Sequence, residues 1–387
     1  MPQPAIYLDH AATTPVREEV FEAMKPFFGA RFGNPSSTHR WGREARAALD
    51  EARERVARCL GARPDEVCFT SGGTESDNLA ILGAWREARA SGRNAVVTSP
   101  IEHKAILGAV HEAKAQGAEE RMLEVDKTGT IVPASWENAV RDDVAICSVM
   151  WVNNEIGTIQ NVPELAEDAK SKGAVFHTDG VQAFGKVRID AASQSFDLLS
   201  MSGHKIGAPK GVGALFIRRG TKLHPLFHGG MQDRGRRPGT ENVAYAVALA
   251  TAAELTIAES ERECERIRAL RDRLEAAILA RVPDAVVHGR GAQRAPHVLN
   301  VSVPGTDSES LLMALDLQGI AASGGSACSS GSIEPSHVLQ AIGVKPDIAG
   351  AAVRMSLGAL SNDECIDRVA DVFPALVMKA RQFAAAG

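Results

Sequence analysis

Long apolar runs, paired cysteines and a strong charge of either sign are all missing from this sequence. No eighteen consecutive apolar residues occur, since even the alanine-rich stretch from Ala244 stops at Glu254, so no membrane span is expected. The first basic residue is Arg17, and no basic segment leads into an apolar one before Pro15. A cytoplasmic protein without a secretory leader is therefore expected. The six cysteines, Cys59, Cys68, Cys147, Cys264, Cys328 and Cys365, lie far apart with no C-x-x-C pair, which argues against a disulfide framework or a structural zinc site. A formal net charge of −5 gives no reason to expect nucleic acid as a partner. Aromatic residues make up only 5%, whereas glycine numbers 35, a bias suited to turns that bring backbone close to a ligand or another strand.

What is present is enough apolar residue, 44% of 387, for a large core and two or three domains. Thr14-Pro15 reads as the N-cap and first residue of a helix through Val20, Met24 and Phe27. A charged amphipathic helix at about 38–60, closed by Gly61, follows the turn Gly33-Asn34-Pro35-Ser36-Ser37. Short apolar runs at 67–70, 95–98, 144–151, 175–177, 198–201 and 212–217 then alternate with helical stretches at 75–90, 104–116 and 162–172. That alternation predicts an α/β fold with a large, doubly wound, mostly parallel sheet. A helix over about 242–280 is long enough to link two domains, and strands near 298–303 and 353–357 with helices near 308–318 and 362–380 predict a smaller α+β domain. The expected division is 15–257 for the large domain, and 1–14 with 258–387 for the small one.

In a doubly wound sheet, ligands bind beyond the carboxyl ends of the strands, so the residues following each apolar run matter most. After the first comes Ser71-Gly72-Gly73-Thr74-Glu75, a turn that is either merely tight or an anion cradle at a helix start. Val152-Asn153-Asn154-Glu155 and Thr178-Asp179-Gly180-Val181-Gln182 follow two others; Asp179 taken alone reads as a cap. Ser202-Gly203-His204-Lys205 puts a lysine at the same edge, and lysine is rarely buried unless paired or chemically engaged. A desolvated amine becomes a nucleophile that forms Schiff bases. One cofactor would use the whole set: pyridoxal phosphate (PLP), with its aldehyde on Lys205, its cationic ring nitrogen on Asp179, its phosphate at Gly73, Thr74, Ser202 and His204, and its ring oxygen beside Gln182.

These segments, together with Tyr7-Leu8-Asp9-His10-Ala11-Ala12-Thr13-Thr14, Val152-Asn153-Asn154-Glu155-Ile156-Gly157, Arg236-Arg237-Pro238-Gly239-Thr240-Glu241-Asn242 and Gly325-Ser326-Ala327-Cys328, resemble the cysteine desulfurases of the NifS and IscS type. The matches run through nearly the whole chain in family order, and Gly331-Ser332-Ile333-Glu334-Pro335-Ser336-His337 resembles the NifS-like members most. The resemblance implies the aspartate-aminotransferase fold (PLP fold type I, class V branch) and a PLP enzyme that takes sulfur from L-cysteine, leaving L-alanine and a persulfide on Cys328. It implies that Lys205 carries the cofactor, Asp179 faces the ring nitrogen, His103 stacks on the ring, Thr74, Ser202 and His204 hold the phosphate, and Asn154 and Gln182 lie beside the ring oxygen and substrate. Thr240 would reach the phosphate of a neighbouring subunit, making the active unit a homodimer. Arg354 would grip the substrate carboxylate, though a buried structural salt bridge is the alternative. His103 either only stacks or also moves a proton of the substrate thiol.

Cys328 lies in a run of small residues, 323–332, that packs no rigid core and suits a thiolate that attacks a sulfur atom and carries it away. The other five cysteines fall in apolar or helical patterns and read as inert. The family passes its sulfur to iron-sulfur scaffold proteins or other carriers, and a transient iron-sulfur cluster at Cys328 is conceivable; no other metal site is indicated. Arg234, Arg236 and Arg237 form a basic cluster that suits either a solvated face or an acidic partner. His10, Ile156 and Gly324 depart from the family pattern; the first two are expected to change pocket polarity and the third to loosen the cysteine loop. A selenocysteine or cystine lyase, or an aminotransferase, of the same fold is the rival reading.

Overall fold

The computed structural model describes residues 5–324 and 336–386. The chain opens with β1 (Ile6–Tyr7), α1 (Glu18–Met24) and α2 (Arg40–Leu60). It then alternates through β2 (Val67–Thr70), α3 (Gly73–Ala88), β3 (Ala95–Thr98), α4 (Lys104–Ala115), β4 (Glu119–Met122), α5 (Pro133–Ala139), β5 (Val144–Ser148), α6 (Val162–Ser171), β6 (Val175–Asp179), β7 (Leu198–Ser202) and β8 (Gly213–Ile217). The long α7 (Val243–Arg281) leads to β9 (Val286–Val287), β10 (Val298–Ser302), α8 (Ser308–Leu317), β11 (Ile320–Ala321), β12 (Ser323–Gly324), α9 (His337–Ala341), α10 (Pro346–Ala349), β13 (Ala352–Ser356) and α11 (Asp363–Ala386).

Seven strands form the main sheet in the order β2-β8-β7-β6-β5-β3-β4. Only β8 runs against its neighbours; the remaining pairings are parallel, as strands joined through helical crossovers must be. Strands β2, β3, β5, β7 and β8 are buried along their whole length, which explains their mainly apolar sequences. Helix α2 presents Ala45, Ala48, Leu49, Ala52, Val56 and Leu60, spaced three or four apart, to α7 and stops where Gly61 takes φ 64°. Gly213 allows β8 to lie against the Gly72 turn: a Cβ there would fall 2.4 Å from the Met201 carbonyl oxygen and 2.7 Å from Gly72 Cα.

A four-stranded antiparallel sheet, β12-β13-β10-β9, and the parallel pair β1-β11 make up the rest of the strands among the described residues. Helix α7 belongs to two hydrophobic clusters: Val243 to Ala253 pack with the main sheet, and Ile267, Leu270, Leu274 and Ile278 pack with the small one. One stretch of α7 is apolar enough by composition to cross a membrane, but half of it is buried inside the protein. The N-terminal segment joins the second cluster through Ile6 and Leu8.

Helix α1 begins at Glu18 with Arg17 as its N-cap, not at Thr14-Pro15. The Thr14 hydroxyl is committed elsewhere: it donates to the His204 carbonyl at 2.9 Å and accepts the Gly207 N–H at 3.0 Å. A residue that reads as a helix start thus ties the N-terminal segment to the Lys205 turn.

Candidate active site

The carboxyl ends of β2, β6 and β7 and the segment after β5 border one cavity of about 340 Å³. Lys205, Asp179, Gln182, Ser202, His204, Gly73, Thr74, His103, Asn154 and Arg354 all line it. The edge of the main sheet accounts for most of this convergence, because every group but Arg354 stands within a few residues of one of its strand ends or at the start of the following helix, while Arg354 comes from the middle of β13 in the small sheet.

Lys205 closes a short turn of 3-10 helix, Gly203–Lys205, directly after β7. Its Nζ donates to the carbonyls of Ala11 at 2.6 Å and Ala12 at 2.7 Å. Gln182 Nε2 donates to the same Ala11 carbonyl at 2.9 Å. Asp179 ends β6, is 5% exposed, and accepts the Val181 N–H on Oδ1 at 2.9 Å. Burial pushes its carboxyl up, while His103 and Lys205 pull it back. Asp77, one turn into α3, also borders the cavity; burial and the nearby Asp179 drive its carboxyl well up, and its Oδ1 is buried without a hydrogen-bond partner among the described residues. His177 stands 3.8 Å from Asp77 but forms no ion pair with it, because burial lowers its pKa to about 3. Its ring nitrogens instead face Ser148 Oγ at 2.8 Å and Ser200 Oγ at 2.9 Å.

His103 is the N-cap of α4 and accepts the Ala105 N–H on Nδ1 at 3.1 Å, leaving Nε2 as the position of the ring hydrogen in the neutral form. His204 has its pKa lowered to about 4, first by burial and then by Lys205 and Lys210, and its Nδ1 lies 3.1 Å from the Thr13 hydroxyl. Arg354 is 2% exposed and already engaged, with Nη2 on Asp9 Oδ1 at 2.8 Å and Nη1 on the Asn154 carbonyl at 3.0 Å. The buried salt bridge considered for Arg354 is therefore present, and its face on the cavity leaves it able to meet a carboxylate as well.

This donor set suits PLP. Two buried carboxyls, one with an oxygen unpartnered among the described residues, call for a cation such as a pyridinium, and the amine, the hydroxyls and the amides opening the sixteen-residue α3 suit an aldehyde and a phosphate. A larger cavity of about 380 Å³ lies beyond Lys205, bounded by Phe184, Ile206, Ile267 and Leu357. Among the described residues it shares only Lys205 with the first, and it offers none of the other residues there suited to phosphate or ring nitrogen.

Thr240 does not join this cavity; it lies in another, of about 260 Å³, with Thr70, Ser71, Arg237 and Tyr245. Cys328, with Gly325-Ser326-Ala327 before it and Gly331 to Pro335 after it, falls outside the described residues. His10 and Ile156 do not line the cofactor-sized cavity: His10 borders the larger one, and Ile156 packs with Ile101, Val338 and Leu339. Gly324 is paired with Val353 in the small sheet, where a Cβ would come within 3.2 Å of Ser308 Oγ, so it belongs to a strand rather than slackening a loop. The basic cluster bonds internally: Arg234 and Arg236 donate to the Asp65 carbonyl, and Arg237 pairs with Glu75 at 3.0 Å. Burial raises the thiol pKa of Cys68 and Cys147, and that of Cys59 to about 11, in keeping with inert side chains.

Sequence reasoning missed Asp77, Lys104, Glu155 and His337, all of which border the cavity. Lys104 and Glu155 adjoin residues that were singled out, and Asp77 follows Gly73 by one helical turn; those were the available signals. Glu102, behind His103, is fully buried and raised to about 8 by burial, although the Ser99 hydroxyl and the Met150 N–H bond its carboxyl. A carboxyl whose folded pKa exceeds its unfolded value keeps its proton longer in the folded chain, so stability falls as pH rises from about 4.5 toward about 8, by at most about 1.4 kcal/mol per unit. Glu102→Gln removes this dependence. Urea midpoints at pH 5 and pH 8 should show the variant gaining on the parent protein as pH rises; a constant gap between the two would contradict a protonated Glu102.

The fold and this edge-of-sheet cavity define a class. The chain belongs to the class-V aminotransferase family, whose model matches residues 6–369. It is 46% identical over 376 residues to the cysteine desulfurase IscS of Dictyoglomus turgidum, covering 97% of this chain and 95% of that protein. It is likewise 46% identical over 377 residues to the cysteine desulfurase NifS of Azotobacter vinelandii, covering 97% and 93%. A solved structure described as a NifS-like protein superposes with a TM-score of 0.89 at 33% identity, covering 99% of this chain and 100% of that one.

Proposed function

We propose that this chain is a PLP-dependent cysteine desulfurase, a sulfurtransferase that converts L-cysteine to L-alanine and leaves the sulfur as a persulfide on Cys328. The observation that carries the reading is the meeting of Lys205, Asp179, Gln182, Ser202 and His204 around one cavity in a chain 46% identical to named cysteine desulfurases.

Bound PLP supplies an aldehyde carbon for an amine and a ring that draws negative charge away from Cα. Lys205, once released from the Ala11 and Ala12 carbonyls, takes the Cα proton of the substrate and returns it. Asp179 holds the positive ring nitrogen. Gly73, Thr74, Ser202 and His204 bind the phosphate, and Gln182 and Asn154 meet the ring oxygen and substrate. Arg354 orients the substrate carboxylate, and His103 lies against the ring and passes a proton to or from the substrate thiol. The Cys328 thiolate attacks the substrate sulfur: the substrate C–S bond breaks, an S–S bond forms, and L-cysteine plus Cys328 thiol becomes L-alanine plus Cys328 persulfide.

The enzyme acts in the cytoplasm as a homodimer in which Thr240 reaches the neighbouring subunit's phosphate site. Its small unit, 1–14 with 258–387, brings Cys328 to a large unit, 15–257, that holds PLP. The persulfide passes to an iron-sulfur scaffold or another sulfur acceptor, and Cys328 is the residue suited to transient cluster ligation. Supporting the two-unit reading, β1 and the end of α7 share one hydrophobic cluster with β10 and β13.

Peptide mass spectrometry after brief exposure of the holoenzyme to L-cysteine without reductant tests the reading. One added sulfur atom is expected on the Cys328 peptide. Alanine or pyruvate formed with Cys328 unmodified at every time point would mark a lyase or aminotransferase instead.

A further inference from the structure

His297 stands just before β10, 115 residues from Gln182 in sequence, and is 4% exposed. Its Nε2 lies 3.0 Å from Gln182 Oε1. The other side of the amide fixes which atom is which, because Gln182 Nε2 faces the Ala11 carbonyl, an atom that can only accept. Oε1 therefore faces the imidazole, and ring Nε2 carries the hydrogen. The second ring nitrogen, Nδ1, is buried without a hydrogen-bond partner among the described residues and keeps its lone pair. Burial comes first, and Lys186, Arg354, His10 and Arg271 follow, in driving the ring's pKa well down. The imidazole is thus neutral, with its single N–H given to Gln182.

We propose that His297 is a positioning residue: by donating Nε2–H to Gln182 Oε1 it locks the amide so that the remaining Gln182 N–H is presented to the ring oxygen of PLP. The lock is two-sided. Turning the amide over would set Oε1 against the Ala11 carbonyl and an N–H against an N–H. A donor on the ring oxygen favours the anionic form of that oxygen, so a loosened amide raises the pH at which the bound cofactor changes colour. The inference rests on reading the cavity as the PLP site.

The test compares holoenzymes carrying His297→Phe, His297→Asn and His297→Gln, alone and combined with Gln182→Ala. The readouts are the pH midpoint of the visible PLP band and the dissociation constant for PLP. His297→Phe keeps a flat ring but no donor; it should raise the midpoint by about one unit and weaken PLP binding about tenfold, the order of one buried hydrogen bond. In His297→Gln the amide nitrogen takes the place of ring Nε2 and should restore both within about threefold. His297→Asn mimics Nδ1 instead and should behave like His297→Phe. None of the three should have further effect once Gln182 is alanine. Equal behaviour of the Asn and Gln variants, or the full His297→Phe shift in the Gln182→Ala background, would overturn the proposal. A parent protein that takes up no PLP would instead overturn the reading of the cavity, an outcome seen before any variant is made.

Discussion

Replacing Lys205 with alanine should lower the turnover of L-cysteine by at least about 10³-fold, equivalent to about 4 kcal/mol of transition-state stabilisation, and should abolish the visible absorption of bound PLP. The expectation rests on position. The amine is held by the carbonyls of Ala11 and Ala12 on the cavity wall, beside the carboxyl that best suits a ring nitrogen. Of the other lysines nearby, Lys104 borders the same cavity as an exposed residue opening α4, and Lys186 opens on the separate larger cavity; only Lys205 sits on the turn after β7 with its amine on the Ala11 and Ala12 carbonyls. The variant should fold, because the turn carrying residue 205 is held by main-chain bonds, including Ile206 N–H to the Gly203 carbonyl at 3.0 Å and Thr14 N–H to the His204 carbonyl at 2.9 Å. Absorbance with added PLP, alanine formation and a melting curve on one preparation decide it. A folded Lys205→Ala enzyme with undiminished alanine formation would remove Lys205 from the chemistry.

Asp179→Asn should separate holding PLP from activating it. The side chain keeps its shape and can still accept the Val181 N–H, so the loop after β6 should stay in place. What goes is a charge. Two unit charges about 4 Å apart interact by about 4 kcal/mol at an effective dielectric near 20, enough to keep a bound ring nitrogen protonated. The variant should retain PLP on Lys205 yet lose about 10²- to 10³-fold in turnover, measurable as alanine formation at saturating L-cysteine. Burial raises the Asp179 carboxyl in the cofactor-free protein, so a cation arriving beside it should favour loss of its proton. Wild-type turnover in Asp179→Asn would show that the ring nitrogen finds its partner elsewhere.

Much of the main sheet is legible in the sequence for a plain reason. Val67–Thr70 and Ala95–Thr98 are buried on both faces, so their apolar runs begin and end with the strands themselves. Edge strand β4, Glu-Glu-Arg-Met in sequence, carries charge because one side of it has no partner strand, and nothing in its pattern sets it apart from a loop. The fifth strand ends at Ser148 rather than Trp151; the Met150 N–H is taken by the Glu102 carboxyl, a contact across 48 residues that no local pattern records. The site divides in the same way. Lysine, aspartate and the glycine turn announce themselves at strand ends, whereas the acceptors that hold Lys205 are main-chain carbonyls of two alanines, which leave no side-chain signature. His297 is equally silent in the sequence, since its partner Gln182 lies 115 residues away and no local pattern links the two.

The short N-terminal strip from Asp9 to Thr14 has a mechanical consequence. Its near end is fastened to β11, through Leu8 N–H to the Ala321 carbonyl, and to the small sheet, through the bridge between Asp9 and Ser356 of β13. Its far end is fastened to the turn that carries Lys205, through Thr14. Between those anchors it touches Arg354 with Asp9, Gln182 and Lys205 with Ala11, and His204 with Thr13. The strip serves as a tie-rod: because the guanidinium, the amide and the amine are all bonded to it, groups from distant parts of the chain have their spacing set by one short segment.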